Sequence, residues 1–109
     1  MNIFKRIRAS LRLNEAVRQA DKAHKETGER YYVMPNGNNG KLIIMDRSNF
    51  RKLKHKRYVS YNVFVRDLEI ECFYCTPYRN GNGKLSNEII DLKRKQYIKF
   101  LEKNGKQVR

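Results

Sequence analysis

The stretch "RYYVMPNGNNGKLIIMD", residues 30–46, limits the possible folds of this chain more than any other. Two runs rich in β-branched and aromatic residues, "RYYVM" (30–34) and "KLIIMD" (41–46), flank a Pro-Asn-Gly segment suited to reversing the chain. They read as a β-hairpin. "KLIIMD" lacks polar alternation, which predicts a strand covered on both faces and central in its sheet. A third strand is expected from "DLEIECFYC" (67–75). Its alternation puts Leu68, Ile70, Cys72 and Tyr74 on one face, and Asp67, Glu69, Glu71 and Phe73 on the other.

Helical patterns surround these strands. Ile3, Phe4, Ile7 and Leu11 share a narrow arc at the helical period, with Lys5, Arg8 and Arg12 opposite. Leu13, Ala16, Val17, Ala20 and His24 continue the period, but their face points the other way round the axis. Either the helix breaks near Asn14, a good N-cap, or one helix touches two surfaces; the break is the preferred expectation. Gly28 suits the end of that second helix. Asp46 or Ser48 can cap a short helix with Phe50 and Leu53 facing inward. A last helix over 87–104 carries Ile89, Ile90, Tyr97, Phe100 and Leu101 inward and Lys95, Lys99 and Lys103 outward. The expected fold class is α+β: a small antiparallel sheet of about three strands packed with helices, with amphipathic helices at both ends. Residues 1–13 are read as a basic amphipathic segment and 14–109 as a single domain.

Charge narrows the partners. The 109 residues carry a net +14, from 25 Lys and Arg against 11 Asp and Glu. Self-repulsion on that scale is relieved by a polyanion: nucleic acid, an anionic membrane surface or an acidic protein. The charge is clustered, with +4 in residues 1–13 and +6 in 47–57, both free of acids. No apolar run approaches the ~20 residues that span a bilayer, and the start of the chain lacks the apolar core of a secretory signal, so it reads as part of the mature protein. Two cysteines make no disulfide framework and fit a reducing compartment.

The block "RSNFRKLKHKR" is the best candidate for a working surface. Arg47, Arg51, Lys52, Lys54, Lys56 and Arg57 would meet phosphates from a helix anchored by Phe50 and Leu53. Tyr58 and Tyr61, just beyond, could stack on bases. Lys95, Lys99 and Lys103 would assist. The alternative is a solvated basic face with core tyrosines.

Other motifs carry less. "RNGNGKLS" (79–86) and its near-copy "PNGNNGKL" (35–42) suggest a phosphate loop. A single residue between Gly81 and Gly83 rules out the Walker spacing, so both read as turns. Only the second copy precedes a helix; there Ser86 can cap, and Lys84 could hold one backbone phosphate. Cys72 and Cys75 form a C-x-x-C, but no second pair accompanies them. In a strand, residues three apart face opposite ways, which predicts diverging sulfurs. Asp67, Glu69 and Glu71 on one strand face could hold Mg²⁺ or Mn²⁺ in a nuclease; pairing with the basic block is the favoured reading. His55 sits among cations with no nucleophile to serve, and His24 reads as a packed or rim residue. No cofactor or metal is expected. Ile3, Phe4, Ile7 and Leu11 could dock into a partner's groove, and less readily onto a membrane.

Three stretches, "AHKETGERYYVMP", "GKLIIMDRSNFRKLKHKRYV" and "ECFYCTPYRNGNGKLS", together resemble small basic proteins of unassigned activity encoded by Bacteroidetes genomes, their tailed phages and mobile elements. The resemblance spans roughly residues 14–101. It implies a bacterial host cytoplasm or a virion as location, and DNA or phage structural proteins as partners. The expectation is therefore a non-enzymatic nucleic-acid-binding protein, DNA in preference to RNA, led by backbone contacts of low sequence specificity. A virion assembly component docking through its N-terminal helix is the alternative.

Overall fold

A computed structural model describes residues 2–36, 40–56 and 64–107, with side chains through Lys103. The hairpin is present as β1 (Tyr31–Pro35) and β2 (Leu42–Asp46), antiparallel, with Val33 opposite Ile44. A third strand, β3 (Tyr74–Cys75), pairs with the other edge of β1, giving the order β2-β1-β3. The central strand is therefore β1, and the expectation that "KLIIMD" lies at the centre is corrected. An unbroken apolar run reports apolar contacts on two faces, made in β2 by Leu42 and Ile44 on one and Met45 on the other with Ile43 exposed, but says nothing about neighbours at its edges.

Both faces of the sheet are covered. Tyr31, Val33, Leu42 and Ile44 pack with Ala9, Leu13, Ala16, Ala20, Phe73 and Tyr97. On the other face Tyr32, Met34 and Met45 meet Phe50, Leu68, Cys72 and Cys75. The described chain is thus an α+β arrangement with its sheet between α1 (Ile3–Thr27) and α4 (Asn87–Gln107) on one side, and α2 (Arg47–His55) and α3 (Val65–Glu71) on the other.

The α1 helix does not break at Asn14. It runs unbroken from the Asn2 cap, whose Oδ1 accepts from the Lys5 N–H at 2.9 Å, to Gly28 in the left-handed conformation. The small side chains of Ala9, Ala16 and Ala20 let it lie close against the core. The phase change seen in the sequence is real, and it belongs to one helix with two apolar faces. Ile3, Phe4, Ile7 and Leu11 point away from the core, 67%, 71%, 50% and 62% exposed.

A second correction concerns 67–75. Residues Val65–Glu71 form α3, and strand pairing begins only at Tyr74. Asp67 starts that helix by accepting from the Phe64 N–H at 2.6 Å, and Leu68 is its buried residue. Over seven residues, alternation and a single helical turn pair compete closely, and the Asp67 cap decides for the helix.

In α4 the inward set also differs. Tyr97 is buried, Phe100 and Leu101 are partly buried against the core, and Ile89 is exposed instead of inward. The buried position is taken by Lys93, only 6% exposed. Its ammonium donates to the carbonyls of Glu69 at 2.8 Å and Cys72 at 3.0 Å, closing the C-terminal end of α3. Tyr97 Oη donates to the Gly40 carbonyl at 2.7 Å and accepts from Arg12 at 3.0 Å, joining α4, the turn end of the hairpin and α1.

Candidate nucleic-acid interface

The basic block forms α2. Asp46 caps it, accepting from the Asn49 N–H at 2.7 Å, and Phe50 anchors it beside Tyr32 and Leu68. With Phe50 fixed inward, Arg47, Arg51, Lys52, His55 and Lys56 face outward. They line a 620 Å³ groove together with Ser48 and Glu29. Glu29 is its one carboxylate among the described lining residues. Arg47, Arg51, Lys52 and Lys56 have no ion pair among the described residues. A concave row of unpaired cations concentrates positive potential where a polyanion can lie.

The groove adjoins a 390 Å³ cavity through the shared Glu29 and Arg47. Here Arg30, Arg79, Asn80, Tyr32 and Tyr78 complete the lining. Arg79 pairs with Glu29 at 3.0 Å and donates to the Thr27 carbonyl at 3.1 Å, so it also closes the end of α1. Gly28 is needed twice: its φ of 78° turns the chain, and a Cβ there would meet Arg79 Nε at 3.0 Å.

Arg30 is more deeply set. Its guanidinium lies 4.1 Å from the Tyr78 ring centroid and pairs with Glu69 at 3.4 Å. It also donates to Cys75 Sγ at 3.0 Å and to the Gly83 carbonyl at 3.3 Å. Gly83, at φ 78°, again leaves room: a Cβ would meet Arg30 Nη1 at 2.7 Å. Tyr78 Oη donates to the same Glu69 carboxylate, which raises the Tyr78 hydroxyl above its ordinary pKa. Burial pushes Tyr32 up to about 12 against the pull of Arg30.

The cysteine pair corrects another expectation. With no strand running between them, Cys72 at the end of α3 and Cys75 in β3 enter the same buried cluster, and their sulfurs meet instead of diverging. The hydrogen bond from Cys72 and the nearby Arg30 guanidinium outweigh burial and hold Cys75 below its ordinary thiol range. Cys72 moves the opposite way, through that same hydrogen bond and burial. The acids are likewise separated by α3: Asp67 caps, Glu69 holds Arg30 and Tyr78, and Glu71 is exposed. Among the described residues no group of three or more His, Cys, Asp or Glu is placed to hold a metal ion.

The other expected contacts are scattered. Lys54 turns away from the groove lining and lies 4.4 Å from the Phe64 ring centroid. Arg57, Tyr58 and Tyr61 fall outside the described residues. Lys84 is exposed and lines neither the groove nor its adjoining cavity. Lys95, Lys99 and Lys103 are exposed on α4; the last two border a separate 410 Å³ hollow with Met34, Ile70, Glu71 and Phe100. His55 borders the groove, and His24 Nδ1 hydrogen-bonds the Glu29 carbonyl oxygen at 2.7 Å.

Arg30, Arg79, Asn80 and Tyr78 were not legible as site residues. The one local signal is the turn itself. Tyr78 N–H donates to the Asn82 carbonyl at 2.8 Å, and Asn80 Oδ1 accepts from the Asn82 N–H at 3.0 Å. "RNGNGKLS" therefore aims Arg79 and Asn80 at the cavity, while Ser86 Oγ accepts from the Ile89 N–H at 3.3 Å at the start of α4. No helix among the described residues is long and apolar enough to cross a membrane. Comparison with known protein families, curated proteins and solved structures finds no match.

Proposed function

We propose that the chain is a non-enzymatic nucleic-acid-binding protein that holds the phosphate backbone in the α2 groove, with DNA as the preferred polymer. The observation that carries this reading is the row Arg47, Arg51, Lys52 and Lys56, unpaired among the described residues and lining one concavity with a single carboxylate. Cations that contribute nothing to internal pairing are available to displace counterions from a polyanion. The sequence resemblance to phage and mobile-element proteins supports the same reading, with a bacterial cytoplasm or a virion as the proposed location. Fluorescence anisotropy with labelled DNA at graded salt tests it. Binding that weakens steeply with salt and ignores sequence is expected, and absence of binding at low salt overturns the proposal.

The outward stripe of Ile3, Phe4, Ile7 and Leu11 favours a second reading, an adaptor whose first three turns of α1 sit in the groove of a phage structural protein. Polar substitution of Phe4 and Ile7 should then abolish capture of that partner and leave DNA affinity unchanged. Undiminished capture by the substituted protein refutes it.

A further inference from the structure

The cavity beside the groove differs from the groove in kind. Three guanidiniums, Arg30, Arg47 and Arg79, border it with one carboxylate, Glu29, and a second, Glu69, pairs with Arg30, leaving a local charge of +1 among these described residues. A phosphate diester inside a strand carries one negative charge. A phosphate monoester carries nearly two at neutral pH and offers three acceptor oxygens. Planar guanidinium donors match those oxygens in pairs, which favours arginine over lysine at such a site. The α2 groove beyond is mixed, with Arg51 beside Lys52 and Lys56.

Two of the three guanidiniums are also held before any ligand arrives. Arg79 is fixed by Glu29 and the Thr27 carbonyl, and Arg30 by Tyr78, Glu69 and Gly83. Arg47 stands in the first turn of α2. Ordering costs at binding are correspondingly small. At 390 Å³ the cavity has the size of a small-ligand site, too small to admit a duplex. It opens onto the groove through Arg47 and Glu29, so a strand leaving it meets Arg51 and Lys52 next.

We propose that this cavity receives the terminal phosphate monoester of a nucleic-acid strand whose following diesters lie along α2. The proposal rests on the nucleic-acid reading above and adds recognition of the strand end. A phosphorylated peptide offers the same terminal chemistry, but it leaves the cations of the α2 groove without a polyanion.

The test uses the full chain and one single-stranded oligonucleotide prepared with a 5′-phosphate, a 3′-phosphate or hydroxyl ends. One phosphorylated end is expected to bind about tenfold more tightly than the hydroxyl form, and the arm that gains identifies the end. Arg79→Gln should bring the ratio of the two affinities close to one. Asn80→Asp should do the same, since it keeps the acceptor for the Asn82 N–H and adds a negative charge to the lining. Arg51→Ala with Lys52→Ala should weaken both forms together and preserve the ratio. Equal, salt-sensitive binding of all three oligonucleotides overturns the end-recognition proposal and leaves the nucleic-acid reading standing. No binding of any strand overturns both. A nucleoside monophosphate or a phosphoserine peptide that competes as well as the phosphorylated strand overturns the assignment to a strand end.

Discussion

Helices α2 and α4 both present rows of exposed cations, and their surroundings differ in almost every other respect. Arg47, Arg51, Lys52 and Lys56 share one concavity with Glu29 and continue into the Arg30–Arg79 cavity. Lys99 and Lys103 border a hollow with Met34, Ile70, Phe73 and Phe100, and Glu71 stands beside them. Charge count alone ranks the two faces as similar. Both rows border a hollow; the company of other cations separates them, because a potential builds up where like charges converge. The buried side of α4 sharpens the contrast: Lys93 and Tyr97 spend their polar atoms on Cys72, Glu69 and Gly40.

The strongest challenge to that contrast is charge reversal. Arg51→Glu, Lys52→Glu and Lys56→Glu together should lower DNA affinity by about a hundredfold at moderate salt, and the same reversal of Lys95, Lys99 and Lys103 by less than about fivefold. Equal losses would show that only net charge matters. A milder version reads the salt slope: Arg51→Ala with Lys52→Ala should reduce the slope of log affinity on log salt by about 2, whereas Lys95→Ala with Lys99→Ala leaves it near the wild-type value.

The structural role of α4 predicts losses of a different kind. Lys93→Met removes the donor to the α3 carbonyls and should cost about 1–3 kcal/mol in urea unfolding, with DNA affinity unchanged while the chain is folded. Tyr97→Phe removes the hydroxyl between Gly40 and Arg12, which keep their own hydrogen bond at 3.1 Å, and should cost about 1 kcal/mol. An affinity loss without a stability loss in either variant would move α4 into the binding surface.

A further effect is a pH dependence on the α2 side. The Cys72 hydrogen bond and the Arg30 guanidinium hold Cys75 below its ordinary thiol range in the folded chain. Between the lowered and the ordinary value the folded state binds fewer protons than the unfolded state, so this contribution to stability rises with pH. It is complete above the ordinary thiol range and is lost as pH falls through the lowered folded value. A thermal midpoint that climbs from pH 6 to 8.5 in wild type and less in Cys75→Ser is expected; parallel curves would contradict it.

Much of this architecture was legible because its signals are local. The hairpin follows from β-branched and aromatic runs around Pro-Asn-Gly, the start of α2 from Asp46, and the end of α1 from Gly28. Where two local readings competed, the sequence was a poor arbiter. Asn14 has the chemistry of a cap, yet continuing the helix buries Ala9 and Leu13 against Ala16 and Ala20 in one core. Residues 67–71 alternate as a strand does, but the Asp67 cap and the burial of Leu68 favour a helix turn. Of the site, α2 was visible as a charge run, while the cavity was not. Arg79 reaches Glu29 across 50 residues, and Arg30 reaches Cys75 across 45.

By itself the sequence determined the α+β class, the hairpin, the turns and the position of the basic helix, since each depends on neighbours a few bonds apart. It also set the +14 charge that makes a polyanion a natural partner. The tertiary structure alone decided which strand is central, which cations converge, and that Cys72 and Cys75 meet. It also decided that Ile3, Phe4, Ile7 and Leu11 face outward from a helix whose other face is core. Those outcomes depend on which surfaces are buried together, a property of the packed chain that no single segment carries.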